Sequence, residues 1–332
     1  MVFCGCGKNN AAQHYESGWV AMEKKDYTTA VNEFQQVIDQ NSRLAESYRA
    51  EGIAYYSEKA YPEAIAAFSR SLNNMDDPDK EFKKDVQFYL AQARMDYGEV
   101  DKAIEVYSEI LKAGEDEQAF FLRGKAYISM EDYKNAEKDF QRALEGCEDY
   151  NLYINIYQIY VDHNKAVDGD AYLKMALELE PQDGEDCYHR GRIYEYEKNY
   201  EAARDELKTA MEQGYEDAML LLGRVYLEME DPASARSMYQ EYLQKSEQGA
   251  KAYNGLAMCD IYDGAYDSAL ENIAQGLKEN SKEDEQGLLY NEIVAYEYKR
   301  DFATAKEKMK IYLEQYPEDE AALRENEFLS TR

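Results

Sequence analysis

The side chains able to carry nucleophilic, acid–base or metal chemistry are few, and their spacing works against it. The three histidines, His14, His163 and His189, include no pair four residues apart, the spacing that sets two imidazoles on one helix face for zinc. Cys187 and His189 are two residues apart, which on a helix turns them to different faces and parts a thiol from its general base. Cys147, Cys187 and Cys259 stand too far apart for a metal-type spacing and read as small buried or half-buried side chains. Gly5, Gly7 and Lys8 share the glycines and lysine of a phosphate loop, but no Ser or Thr follows the lysine and no strand precedes the glycines. Carboxylate pairs abound among the 68 acidic residues. None is placed by the sequence in a desolvated cleft that would shift its pKa for acid–base work, so they read as solvated faces. The expectation is a protein with no catalytic residues, no metal and no cofactor.

The elements that would have to position any site are helices. The chain has 332 residues with only 5 prolines and 18 glycines, which leaves few places for strands to turn or for a linker to sit. With 45% hydrophobic and 13% aromatic residues it carries enough apolar surface to fold, unlike a solvating acidic tail. The 68 acidic against 38 basic side chains give a formal net charge of -30, which repels a phosphate backbone and disfavours nucleic acid and acidic membrane surfaces as partners. No run of about eighteen apolar residues occurs to span a bilayer.

A tyrosine-rich pattern recurs with a period of 34 residues, the sequence signature of a repeat architecture. Clear copies read Tyr48, Gly52, Tyr55, Tyr61, Ala64, Phe68 and then Phe120, Gly124, Tyr127, Tyr133, Ala136, Phe140, Ala143, with Gly191, Tyr194, Tyr200, Ala203, Leu207, Ala210 as a third. Offsets of four and three place Tyr48, Gly52 and Tyr55 on one helical stripe, and Tyr61, Ala64, Phe68 and Ser71 on a second. Two short helices then face each other, with glycine and alanine where the backbones approach and rings filling the space around them.

These residues resemble the tetratricopeptide repeat, a helix-turn-helix unit. The resemblance implies an all-α fold: a right-handed superhelical solenoid of about nine repeats, starting near Ala11, Ala45, Lys84, Glu117, Tyr150, Gly184, Glu216, Ala250 and Gln286. The array covers residues 11–319, between an N-terminal stretch 1–10 and a C-terminal capping helix 320–332. Departures are local. The fifth copy has Tyr157 and Gly169 at the small-residue positions, the spacing stretches around Met75 to Lys84, and it shortens between Ala203 and Ala235. End units of such a stack need a polar outer cap, which Glu318 to Ser330 suits.

The first ten residues stand apart. Phe3, Cys4, Gly5 and Cys6 resemble the end of a bacterial lipoprotein signal, which implies acylation at Cys6 with Gly7 to Asn10 starting a polar tether. A signal peptide has an apolar stretch of about 7–15 residues, and only three residues precede Cys4, so the resemblance requires a longer precursor. A Cys-x-Cys metal clip and an inert disordered end are the other readings. The expected location is the extracytoplasmic face of the cell membrane, with membrane contact only through the lipid; the alternative is cytoplasmic.

In this family the groove is lined by the first helix of each repeat at its fifth, ninth and twelfth positions. Carried over, these are Tyr15 and Trp19; Arg49 and Tyr56; Phe88; Phe121 and Lys125; and Gln158 in the first five repeats. Tyr188, Arg192 and Glu195, then Leu220 and Arg224, then Asn254 and Met258, and last Tyr290 continue the series. This face is aromatic, apolar and locally basic, which implies that the acid lies mostly elsewhere; Arg and aromatic residues are also the types enriched in interface hot spots. The resemblance implies a non-catalytic scaffold that binds a protein or peptide segment in its concave groove. A cytosolic regulator that binds a small signalling peptide is the alternative. Arg192 and Arg224 hold equivalent positions in adjacent repeats, so the expectation is two mutually repelling guanidinium groups that a partner carboxylate would bridge.

Overall fold

The structure, a computed structural model, describes residues 6–75, 79–246 and 248–332, with side chains from residue 10 onward. The described residues are helical throughout, without a strand. They divide into two compact units, the first ending at residue 171 and the second covering 172–332.

In the first unit α1 (Cys6–Glu23) packs on α2 (Tyr27–Asp39), α3 (Leu44–Ser57) on α4 (Tyr61–Asn73), α5 (Lys80–Tyr97) on α6 (Val100–Ala113), and α7 (Glu117–Ser129) on α8 (Tyr133–Ala143). Then come α9 (Tyr150–Asp162) and α10 (Ala166–Leu177), the helix within which the division between units falls. In the second unit α11 (Gly184–Tyr196) packs on α12 (Tyr200–Glu212), α13 (Ala218–Glu228) on α14 (Pro232–Lys245), α15 (Ala250–Tyr262) on α16 (Tyr266–Lys278), and α17 (Glu285–Tyr298) on α18 (Phe302–Gln315), and α19 (Glu320–Ser330) closes the chain against α18. Within each unit every pair also packs on the next, so the apolar core is distributed along the stack and each repeat is stabilised by its neighbours.

The repeat register explains the packing. The alanine of each second helix, Ala30, Ala64, Ala103, Ala136, Ala203, Ala235, Ala269 and Ala305, is fully buried, and the residue four later, such as Phe34, Phe68, Tyr107, Phe140, Leu207, Tyr239 or Met309, is buried beside it. The glycine of the first helix makes room for that ring: a Cβ on Gly52 would lie 2.6 Å from Phe68, and one on Gly124 2.7 Å from Phe140. Glycine is therefore required by a side chain laid across it, rather than by contact of two backbones as the pattern suggested. The fifth repeat inverts the arrangement. A Cβ on Gly169 would meet the Tyr157 ring at 3.0 Å, so the small residue has moved to the second helix and the large one to the first.

The turn inside each pair is equally regular. Lys25, Lys59, Gly98, Glu131, Asn164, Lys198, Glu230, Gly264 and Arg300 occupy the same register position and all have positive φ. Next in the chain, Asp26, Asp132, Asn199, Asp231 and Asp301 accept from a backbone N–H three residues on, capping the N-terminus of the second helix. The irregular spacings are absorbed in helix length. α5 starts four residues ahead of the repeat register, at Lys80, and α13 is cut to 11 residues. α1 extends back to Cys6, so residues 6–10, read from the sequence as a tether, have helical backbone. Phe3, Cys4 and Gly5 lie outside the described residues, as does the side chain of Cys6. α19 lays Ala322 and Leu329 on Ile293, Met309 and Tyr312, with Asp319 capping its N-terminus.

Candidate functional site

In the second unit α11, α13 and α15 turn their expected groove positions into one cleft of about 760 Å³. Tyr188 and Arg192, Leu220 and Arg224, and Asn254 and Met258 all line it. They converge because offsets of four keep each pair on one helix face, and because neighbouring first helices lie side by side. Leu221, Tyr239, Gly255 and Tyr242 complete the floor.

The charges in the cleft are arranged in partnerships. Arg224 donates to Glu195 of the preceding first helix at 2.6 Å, where the carboxylate side chain is 14% exposed and the guanidinium 56%. Arg192 lies over the Tyr188 ring, 5.9 Å from its centroid, and its Nη1 is 3.3 Å from Nδ1 of His189. The expected pair of bare, mutually repelling guanidinium groups is therefore corrected: Glu195 neutralises one of them before any partner arrives. Tyr188 also packs against Tyr215 at 4.9 Å. Burial pushes its hydroxyl pKa up, while Arg192, Arg224 and Lys251 oppose that and Asp217 adds to it. Three cations from three successive first helices are thus within electrostatic reach of one phenol.

The cleft also carries acid at its border. Asp217, Glu279, Glu283 and Asp284 border the same cleft, so the acid is not confined to the outer surface. Lys251 meets Glu283 at 3.3 Å, the Ser281 hydroxyl donates to Asp284 at 2.7 Å, and the Tyr242 hydroxyl donates to Asp217 at 3.5 Å. These residues escaped the sequence reading because they sit in the turns between repeats or at the first turn of a helix, where a register scored on mid-helix faces does not look.

The other expected groove residues divide between structural and open positions. Tyr15 and Trp19 lean edge-on against Phe34 with centroids 5.8 and 5.5 Å away, Phe88 tilts on Tyr107 at 6.3 Å, and Phe121 on Phe140 at 6.2 Å. Tyr290 meets Tyr312 edge-on at 5.8 Å. These half-buried rings therefore help to hold their own repeats together. Arg49 is bound to Asp85 and lies 5.3 Å from the Tyr89 centroid. Tyr56 donates to Asp96, and burial with that bond pushes its pKa up. Gln158 donates to Asp162 at 2.9 Å, Asn254 accepts from Asn291 at 2.8 Å, and Lys125 is exposed. Among the described residues no three His, Cys, Asp or Glu side chains cluster to hold a metal, and no helix is long and apolar enough to cross a membrane.

The helix pairs and their register are those of a repeat scaffold, and comparison with known proteins gives the class. A tetratricopeptide repeat family model matches residues 15–79, 188–250 and 220–285, and a second tetratricopeptide repeat model matches residues 117–149. The matches together cover more than half of the chain, which belongs to the tetratricopeptide repeat family. Among solved structures it is similar to yeast Tom70, with 14% identity over 92% of this chain and 85% of that one and a TM-score of 0.50. A tetratricopeptide repeat protein from Parabacteroides merdae matches with 16% identity over 86% of this chain and 99% of that one, TM-score 0.47. YrrB, described as a TPR protein with an unusual peptide-binding site, matches with 26% identity over 57% of this chain and 97% of that one, TM-score 0.37. None of the curated proteins matches the chain.

Proposed function

We propose that the protein is a non-catalytic interaction scaffold that holds a segment of a partner protein in the cleft of its second unit. The observation that carries this is the convergence of Tyr188, Arg192, Leu220, Arg224, Asn254 and Met258 from three first helices on one cleft. Together they offer an apolar floor, an aromatic ring and hydrogen-bonding groups along a line, the combination that gives a peptide both affinity and register. The test is capture from extracts of the native cell, comparing the wild type with the variant carrying Arg192→Glu and Arg224→Glu at matched helicity. Loss of the captured partner supports the cleft. Undiminished capture that disappears only at high salt points to the acidic outer surface instead.

We further propose that the chain works as a lipid-anchored protein on the extracytoplasmic face of a bacterial membrane. Support for this lies in the sequence Phe3-Cys4-Gly5-Cys6 and its likeness to a lipoprotein processing site, with Cys6 as the acylated residue. One acyl chain of myristoyl size anchors only marginally, so retention requires more than one. Fractionating cells that express the full open reading frame tests it: membrane-bound protein beginning at a lipid-modified Cys6 is expected, whereas soluble protein retaining Met1 supports the cytosolic regulator.

A further inference from the structure

We infer that the second-unit cleft is a dipolar seat, selective for an extended partner segment that carries one acidic and one basic side chain about six residues apart; this deepens the groove proposal and rests on it. The cationic end is Arg192 on α11 and Arg224 on α13, with Glu195 bound to Arg224 and Asp217 near Tyr188 as the acids beside them. The anionic end is the turn between α16 and α17, where Glu279, Glu283 and Asp284 outnumber Lys282 of the same turn and Lys251 reaching in from α15. Between the ends lie Leu220, Tyr239 and Met258, which suit an apolar side chain in the middle of the segment.

The Arg224 ion pair sharpens the cationic end. Its carboxylate partner is mostly covered and its guanidinium mostly exposed. A guanidinium has five N–H donors, and Glu195 engages it through Nη2, so the arginine keeps donors for an incoming carboxylate while its long side chain is held in place. The acids at the other end repel a second carboxylate there and attract a cation. A segment carrying only acid therefore matches one end alone. A segment carrying only base would meet Arg192 and Arg224, and with a molecular charge of -30 it could bind the outer surface equally well.

The separation follows from the stacking. The first helices α11, α13, α15 and α17 are successive neighbours, and packed helix axes lie about 8–10 Å apart. From the α11–α13 pair to the turn ahead of α17 is roughly two such steps, about 16–20 Å. An extended chain advances about 3.3–3.6 Å per residue and turns residues an even number apart to one face, which places two charges that both face the cleft about six residues apart.

The experiment uses the full chain and fluorescein-labelled peptides with uncharged spacers and a leucine two residues after the first charged position, on the same face as both charges. Their two charged positions, six residues apart, are Glu and Lys, Lys and Glu, Glu and Glu, or Lys and Lys, and binding is read by fluorescence anisotropy at physiological salt. One mixed-charge order is expected to bind at least tenfold more tightly than either like-charged peptide. The variant with Glu279→Lys and Glu283→Lys, both in an exposed turn, is expected to shift the preference at least tenfold toward the Glu and Glu peptide. If the Glu and Glu peptide already binds the wild type as tightly as the mixed ones, the dipolar seat is overturned while the groove proposal stands. Tightest binding by the Lys and Lys peptide overturns it in favour of the acidic surface. Absence of binding by all four also overturns it, and capture from extracts with the arginine variant then decides the groove proposal separately.

Discussion

Arg224 of α13 reaches back to α11 and donates to Glu195 at 2.6 Å, the base exposed and the acid covered. The contact joins two repeats and also aims a cation into the cleft. A partner carboxylate at Arg224 would thus add to an existing pair. Changing Arg192 and Arg224 together to Glu is expected to weaken partner capture by at least ~1.5 kcal/mol, the scale of a charged hydrogen bond, as measured by titration of the captured partner. Arg224→Gln, which avoids setting a second carboxylate beside Glu195, is expected to give a smaller loss in the same direction. Equal affinity in all three proteins would remove the arginines from the binding site.

Gly52 and Phe68 make the packing requirement of the repeat measurable. The Phe68 ring is fully buried, and Gly52→Ala sets a methyl within 2.6 Å of it. Overpacking of this kind costs about 1–3 kcal/mol, and the urea midpoint should fall accordingly. Gly114→Ala is the control, because a Cβ there meets nothing within 4 Å; it should leave the midpoint almost unmoved.

The left-handed turn residue offers a gain of stability. Glu131 has a φ of 58°, a conformation that costs a side-chain-bearing residue about 1–2 kcal/mol and that glycine adopts freely, at an entropic cost of roughly 0.5–1 kcal/mol. Glu131→Gly is expected to stabilise by about 0.5–1 kcal/mol. The reverse change at the equivalent position of another repeat, Gly98→Ala at a φ of 87°, is expected to destabilise. Thermal melts of the two variants check the signs, and equal signs would refute the explanation.

Glu297 gives the protein a pH dependence near neutrality. Burial first, and then the negative charge of Glu325 on α19, push its pKa up from 4.5 to about 7. Between those values the folded chain retains a proton that the unfolded chain has released, so stability falls as pH rises through that window, and the whole penalty is present above it. Glu297→Gln should therefore match the wild type near pH 4 and exceed it at pH 8. The expected gain is about 1 kcal/mol, reduced from the full linkage value because the group is partly exposed. Urea unfolding at the two pH values measures it, and a gain that is the same at both would assign the effect to packing.

The sequence by itself determined the repeat. A 34-residue period, the Tyr, Gly and Ala offsets and the scarcity of proline and glycine are local signals, and helix pairing follows from them because each apolar stripe can be buried only on its neighbours. The resemblance to the repeat family set the register, and with it Tyr188, Arg192, Arg224 and Asn254 fall on equivalent first-helix faces, since a face is fixed by periodicity once the register is known. The tertiary structure alone decided which charges meet. Glu195 on Arg224, Glu283 on Lys251 and Asp85 on Arg49 are contacts between repeats 29, 32 and 36 residues apart in the chain, and no periodicity selects them among 68 carboxylates. It decided the left-handed turns as well. Lysine, glutamate and arginine hold positive φ there, because the packing of two helices outweighs the 1–2 kcal/mol preference of about that size that a local propensity expresses. The mixed charge of the cleft has the same origin. Its acids come from turns, and a turn's place beside a helix face is set by how the repeats stack.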